Sequence, residues 1–439
     1  MILFIKDDYL GEYDKWLKRS FLNIYKFPYH RFIMLIKEVK AREILDSGGY
    51  PTVEVELTTN DGTFIASVPA GTSTGKYEAV ELRDKGKRYQ GAGVLKAIDN
   101  INKIIAQKIQ YLDVTKQKEI DKLLINLDNS KNKSNLGANA ILAVSIAVCK
   151  AGATAKQTSV YEHLAFLSSN AKIKIPSPMI LIIEGGKHAN KSTDFQEFMI
   201  IPSDPNFRES LRKGTEVYHS VKEILLKREL NANVGYEGAF ASPFKDNEKT
   251  LKLIIEGIKN VGNEKNIQFA IDAAASELYQ NSMYKLKIGE LSSKNLLEIY
   301  RKLMKSYPIL SIEDPFDQKD LESWKAITKE YKEKMIVGDD LLVTDPQKIQ
   351  SAIKKSYCNA LLVKPNQIGT ISETIEAVNL AKSTGWKIIV SHRSRETEDS
   401  FIADFAVGIG ADYVKFGAPC RGERTAKYNQ LLRISENLK

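Results

Sequence analysis

The chain has 439 residues, 43% of them hydrophobic and 27% charged, a balance that rules out wholesale disorder and fits two or three domains. Three cysteines, Cys149, Cys358 and Cys420, lie without CxxC spacing, which argues against a disulfide scaffold or a zinc ribbon and fits a reducing compartment. The net charge of +9, from 64 basic and 55 acidic residues, is spread along the chain; it favours anionic partners, and in the absence of an RRM, HTH or zinc-finger pattern a small phosphorylated acid explains it as well as nucleic acid does.

Residues 1–33 hold nine of the 38 aromatic residues. Asp7, Asp8, Glu12 and Asp14 interrupt any apolar core there, so the segment does not read as a secretory signal. Met34 opens a stretch that reads as a fresh start. The segment is either a dispensable extension, as from an upstream start codon, or an aromatic docking element. From Glu38 to Pro69 strand signals dominate. Thr52–Leu57 alternates, Asn60-Asp61-Gly62 turns the chain, and Thr63–Val68 returns, which predicts a hairpin. Helical patterns follow to about Phe166. Among them Gly137–Ala155 is apolar but carries Asn139, Ser145 and Lys150, and is read as a buried Ala-rich helix rather than a membrane span.

The rest of the chain has another rhythm. Eight short apolar runs occur: Met179–Ile183, Phe198–Ile201, Phe269–Ile271, Ile309–Ile312, Met335–Val337, Ala360–Val363, Ile388–Val390 and Tyr413–Val414. Six end in a polar residue: Asp272, Glu313, Asp339, Lys364, His392 and Lys415, at intervals of 41, 26, 25, 28 and 23. An interval in the mid-twenties is one strand, one helix and two loops, so buried strands alternate with helices around a parallel sheet. Eight such strands predict a closed α/β barrel of TIM type, with its active site at the C-terminal strand ends. The first two runs are too close for an intervening helix, so the barrel is expected to begin irregularly. The expected division is an extension over 1–35, a smaller α+β domain over 36–170, and the α/β barrel over 171–439.

Three carboxylates from consecutive strands, Asp272, Glu313 and Asp339, would repel one another without a cation. Hard oxygen ligands in that arrangement suit Mg²⁺, although each taken alone reads as a strand-end cap or surface charge. Lys364 follows directly. Flanked by a divalent cation and another lysine, its charged form is disfavoured. It could then serve as a base removing a proton α to a carboxylate. Lys415 is read as an anion anchor. Gly71-Thr72-Ser73-Thr74-Gly75 matches the G-x-S-x-G nucleophile elbow, and a hydrolase would add a later Asp and His392. Pro69 breaks the preceding strand, Gly75-Lys76 starts a helix poorly, and the motif lies outside the barrel. A loop closing over an anion is the better reading.

From about Glu38 to Leu432 the chain resembles enolase, the phosphopyruvate hydratase family. The resemblance rests on Val68–Gly75, Leu136–Ile141, Gln196-Glu197-Phe198-Met199, Ser311–Phe316, Gly338-Asp339-Asp340-Leu341, Lys364–Gly369, Ser391-His392-Arg393-Ser394 and Lys415–Pro419. It implies reversible dehydration of 2-phosphoglycerate to phosphoenolpyruvate, in glycolysis and gluconeogenesis, by a cytoplasmic homodimer or larger assembly built largely through the N-terminal domain. Asp272, Glu313 and Asp339 would hold a tight Mg²⁺, with Ser73 on a loop over a second Mg²⁺ that comes with substrate. Lys364 would take the C2 proton and Glu237 would act as acid at C3, with Glu197 and His188 supporting the leaving hydroxyl and His392 in the catalytic group. Gln196, Arg393, Ser394 and Lys415 would hold the substrate's phosphate and carboxylate.

Four segments depart from the family pattern. D-S-R-G-N-P-T appears as Asp46-Ser47-Gly48-Gly49-Tyr50-Pro51-Thr52, N-G-G-x-H-A-G-N as Glu184–Lys191, and G-D-E-G-G as Gly235-Tyr236-Glu237-Gly238-Ala239, while Arg395 replaces a glycine. They leave two alternatives open: a paralogue that takes an α proton from another hydroxy or phosphorylated acid, and a non-catalytic binding descendant. A carboxylate is lost at 236 and gained at 184. Independent drift, with both side chains turned away from substrate, is the default expectation, and compensation within one closing lid is the alternative.

Overall fold

A computed structural model describes residues 33–72, 75–170, 172–262 and 264–438. The aromatic-rich segment and Ser73 lie outside the described residues. Met34–Lys439 forms one compact unit.

The predicted hairpin is present and belongs to a three-stranded antiparallel meander, Glu38–Leu45, Pro51–Thr58 and Thr63–Ser67. Alternation sets its faces. Val53, Val55 and Leu57 are fully buried on one side, where helix Ala138–Ala155 packs against the sheet. That helix is the one among the described residues long and apolar enough to cross a membrane, and 89% of it is buried inside the protein. Its small side chains let the sheet and helices Gln117–Asp128 and Val160–Leu167 approach from several sides.

All eight apolar runs are strands of one closed barrel: Ser177–Glu184, Glu197–Pro202, Ile267–Asp272, Ile309–Glu313, Met335–Gly338, Ala360–Val363, Lys387–Ser391 and Tyr413–Lys415. Closure comes from parallel pairing of the eighth strand with the first, Tyr413 opposite Ser177. The runs lack alternation because one face fills the barrel and the other meets helices. The expected irregularity is a reversal. No α-helix separates the first and second strands, so the second cannot return to run parallel; it pairs antiparallel with both the first and the third. Its N-terminal end therefore lies beside the C-terminal ends of its neighbours, Glu197 opposite both Glu184 and Asp272. The long interval between Asp272 and Glu313 holds an extra meander, Tyr279–Gln280, Met283–Leu286 and Gly289–Leu291, ahead of helix Ser293–Ser306.

Candidate active site

The barrel gathers the charged strand ends at one rim. Lys415 Nζ lies 3.0 Å from Asp272 Oδ2, 2.8 Å from Glu313 Oε2 and 3.1 Å from Glu197 Oε2. Lys364 Nζ pairs with Asp339 Oδ2, while Asp339 Oδ1 accepts from Gln367 Nε2 at 2.8 Å. Burial raises the pKa of Glu313, Asp272 adds to it, and Lys415 does not cancel them, so Glu313 stands well above the carboxylate range. Burial, Arg393 and Lys415 all press Lys364 down, but Asp339 and Glu313 outweigh them and leave it above its ordinary value. The depression expected for this lysine is therefore not present with Asp339 as its partner.

The carboxylate triad surrounds ammonium groups rather than one shared point. Among the described residues, two other groups of side chains have ligand atoms close enough to hold one ion: His188, Glu197 and Glu237, and Asp314, Asp339 and Asp340. The donor chemistry at the rim still fits a hard divalent cation. Asp272 and Glu313 are buried carboxylates that converge on a single positive centre, the Lys415 ammonium, which stands in for a cation. Asp339 is shared with the second group.

Facing this rim is a cluster of buried acids and imidazoles. Glu237 Oε2 is 3.0 Å from His392 Nε2, and Oε1 is 3.7 Å from His188 Nδ1, which is also 3.6 Å from Glu197 Oε1. Arg424, fully buried, donates to His392 Nδ1 at 2.7 Å. A guanidinium only donates, so Nδ1 is the bare nitrogen and Nε2 carries its hydrogen toward Glu237. Burial pushes His392 down to about 4, Arg424 adding to it and Glu237 opposing it. Burial would raise Glu237, yet His392 and His188 outweigh it and hold that acid well below the carboxylate range. Glu197, by burial and then by the charge of Glu237, stands well above it. Of these two acids, Glu197 is the one that favours its proton.

The anion-binding candidates lie along the same rim. Arg393 Nη1 donates to Glu78 Oε2 at 3.0 Å and Asn366 Oδ1 at 2.8 Å. Ser394 Oγ accepts from Thr72 N at 2.9 Å. Gln196 is buried with Oε1 unpartnered, its Nε2 lying 3.5 Å from Asp272 Oδ2. Gly75 is followed by a turn and irregular chain through residue 87 and not by a helix, so the strand–turn–helix elbow of a hydrolase is not formed.

Asp314, Glu78 and Arg424 escaped sequence reasoning as contributors to this site, and Glu184, singled out as a departure, acts on the loop backbone. Glu184 is wholly buried and accepts from Glu237 N at 3.1 Å and Ala239 N at 2.8 Å. The loop wraps so tightly that a Cβ at Gly235 would lie 2.4 Å from Glu184 Oε2. Tyr236 faces solvent at 45% exposure, so of the two departures one turns away and the other holds the loop bearing Glu237. Asp314 accepts from Asp339 N at 3.0 Å and Asp340 N at 2.8 Å, and Glu78 joins Arg393 to Gly75 N, the latter at 2.8 Å. Arg424, on helix Gly422–Asn437, carries no sequence signal beyond being a charge on a helix. Asp314 could have been found from its place beside Glu313.

The family model described as the N-terminal domain of enolase matches residues 36–164. That described as the C-terminal TIM barrel domain of enolase matches residues 172–439. The chain is 49% identical over 420 residues to a protein of Mastigamoeba balamuthi named Enolase, covering 92% of this chain and 96% of that one.

Proposed function

Because this chain belongs to the enolase family, we propose that it catalyses the Mg²⁺-dependent, reversible dehydration of 2-phosphoglycerate to phosphoenolpyruvate. One observation carries the reading: buried cations and carboxylates at the strand ends adjoin an acid–imidazole cluster, with Glu197 touching both. That is the division of labour needed to remove a proton from one carbon and hydroxide from the next.

Lys364 takes the C2 proton. Burial, Arg393 and Lys415 already favour its neutral form, and Asp339, its ion-pair partner, with Glu313 holds the proton on. Bound by Asp272, Glu313 and Asp339, Mg²⁺ would supply counter-charge to the substrate carboxylate and draw the charge of Asp339 away from Lys364. Glu237 delivers a proton to the departing C3 hydroxyl. Glu197 stores that proton, and His188 stands between the two acids. His392, its tautomer set by Arg424, orients Glu237. Arg393, Ser394, Gln196 and Lys415 take the phosphate and carboxylate, and Ser73 with its loop a second Mg²⁺. The chain divides into the extension 1–35, a capping domain 36–170 and the catalytic barrel 171–439. It works in the cytoplasm, in glycolysis and gluconeogenesis, as a homodimer or larger assembly.

Purified protein with Mg²⁺ and 2-phosphoglycerate should raise the ultraviolet absorbance of phosphoenolpyruvate. No signal at micromolar enzyme overturns the reading, and C2 proton exchange in other hydroxy acids then separates a paralogue from a binding protein. Light scattering on the same sample reads the assembly, a monomer refuting it.

A further inference from the structure

Departures far apart in sequence meet in one place. At Gly48 an added Cβ would lie 3.0 Å from Arg395 Cδ, 3.1 Å from Arg395 Cγ and 3.3 Å from Asp46 Oδ1. The Arg395 side chain thus runs through the space a side chain at 48 would need. Its Nε is 3.7 Å from Asp46 Oδ2. Asp46 has no exposed side-chain surface, and this oxygen has no hydrogen-bond partner. Its other oxygen is engaged by Gly48 N at 2.9 Å and Tyr50 N at 3.0 Å. The guanidinium carbon lies 4.9 Å from the centre of the Tyr50 ring. Among the described residues, Arg395 is therefore the cation paired with a buried carboxylate at the first turn of the sheet, and it comes from the barrel.

The same residue reaches the rim. Arg395 Nη2 donates to Gly71 O at 3.1 Å. Its backbone exchanges two hydrogen bonds with Ala70, at 2.8 and 3.0 Å. One residue earlier, Ser394 Oγ accepts from Thr72 N at 2.9 Å. Segment 70–72 is thus zipped onto 394–395, and the zipper fixes the hydroxyl of Ser394. We propose that Arg395 is a positioning residue: growing into the space left by Gly48, it supplies the cation for Asp46 and holds Ala70–Thr72 against Ser394, so that the changes at 48, 50 and 395 are one compensated exchange. The part concerning Ser394 and substrate rests on the function proposed above; the exchange itself does not.

The test is a cycle of Gly48→Arg, Arg395→Gly and the double variant, read in two ways. Without substrate, each single change should lower the unfolding midpoint. Arg395→Gly leaves Asp46 buried without a cation, and Gly48→Arg drives two side chains into one space. The double variant should return to near the parent value. With 2-phosphoglycerate, Arg395→Gly should raise KM about tenfold while kcat changes much less, because the group lost positions substrate and does not touch reacting atoms. The double variant should recover KM. Arg395→Lys should keep most of the midpoint but not the KM, since an ammonium cannot serve Asp46, Gly71 and Tyr50 with one planar group. Additive effects in the double variant on the midpoint overturn the exchange. A lysine variant indistinguishable from the glycine one overturns the role of the charge and serves if Arg395→Gly does not fold. A parent protein inactive on 2-phosphoglycerate refutes the proposed function and leaves the midpoint cycle as the judge of this inference.

Discussion

At the scale of single residues, Glu184 shows how a substitution beside an active site can act through backbone. Its carboxyl is surrounded by the amides of Glu237 and Ala239, and burial, with the charge of Glu237, pushes its pKa up to about 8. A carboxyl whose folded pKa lies above its unfolded value binds its proton more tightly when folded. Its contribution is full below the unfolded value, near 4.5, and is lost as pH rises through about 8. Glu184→Gln should therefore flatten the dependence of unfolding free energy on pH between those limits, measured by urea denaturation. An unchanged slope refutes the assignment. Tyr236→Asp, on an exposed side chain, should move stability by no more than about 0.5 kcal/mol, and its effect should add to that of Glu184→Asn within a few tenths of a kcal/mol. Compensation between positions 184 and 236 is thus not expected, because their side chains point in different directions. Nothing in the sequence carried that distinction: an acidic residue at the end of an apolar strand reads the same whether it faces substrate or a loop amide.

Elements were far more legible than contacts. Eight apolar runs with polar ends predict eight barrel strands, because burial on both faces leaves a continuous signal of the right length. The second strand was found as an element, but its direction decides what it contributes. Reversed, it offers its first residue, Glu197, and Gln196 just before it to the rim where the other strands offer their last. A rule that reads only C-terminal strand ends misses both, and only the motif resemblance recovered them. Glu237 lies in a loop, where periodicity says nothing. The arrangement of strand ends also sets a prediction for Lys415. Without a divalent cation, its ammonium is the positive charge among Asp272, Glu313 and Glu197. Lys415→Ala should then lose about 1–3 kcal/mol of stability in chelator, the cost of leaving buried polar groups without their hydrogen-bond partner, because Glu197 and Glu313 already favour their protons. Millimolar Mg²⁺ should restore a substantial part by binding the folded state alone. Equal stability of the variant and its parent in chelator, or no gain with Mg²⁺, contradicts the view that this lysine occupies the position of a cation.

Across the whole molecule, the N-terminal layer of sheet and helices is joined to the barrel by partly buried polar contacts. Lys133 pairs with Glu373 at 2.9 Å, Lys150 with Asp399 at 2.8 Å, and Asp121 accepts from Ser372 N at 2.9 Å. Asp46, Arg395 and Gly71 add to the same seam. A rim built across that seam needs both parts in register, which is why Met34–Lys439 forms one unit. Every group placed in the site apart from Ser73, which is not described, comes from the described part of that unit, and the family match begins at residue 36. The packing also starts there. Met34 is buried, its carbonyl accepts from Val114 N at 2.9 Å, and Ile36 N donates to Leu112 O at 3.0 Å. A chain begun at Met34 should therefore fold, keep its unfolding midpoint, and retain turnover of 2-phosphoglycerate within about twofold, since no contact described in the site would be lost. If the aromatic segment is instead a docking element, the shortened chain loses an interaction while its kinetics stay the same. If the shortened chain unfolds or loses turnover, the first residues support the fold, and the view of Met34–Lys439 as a self-sufficient unit falls.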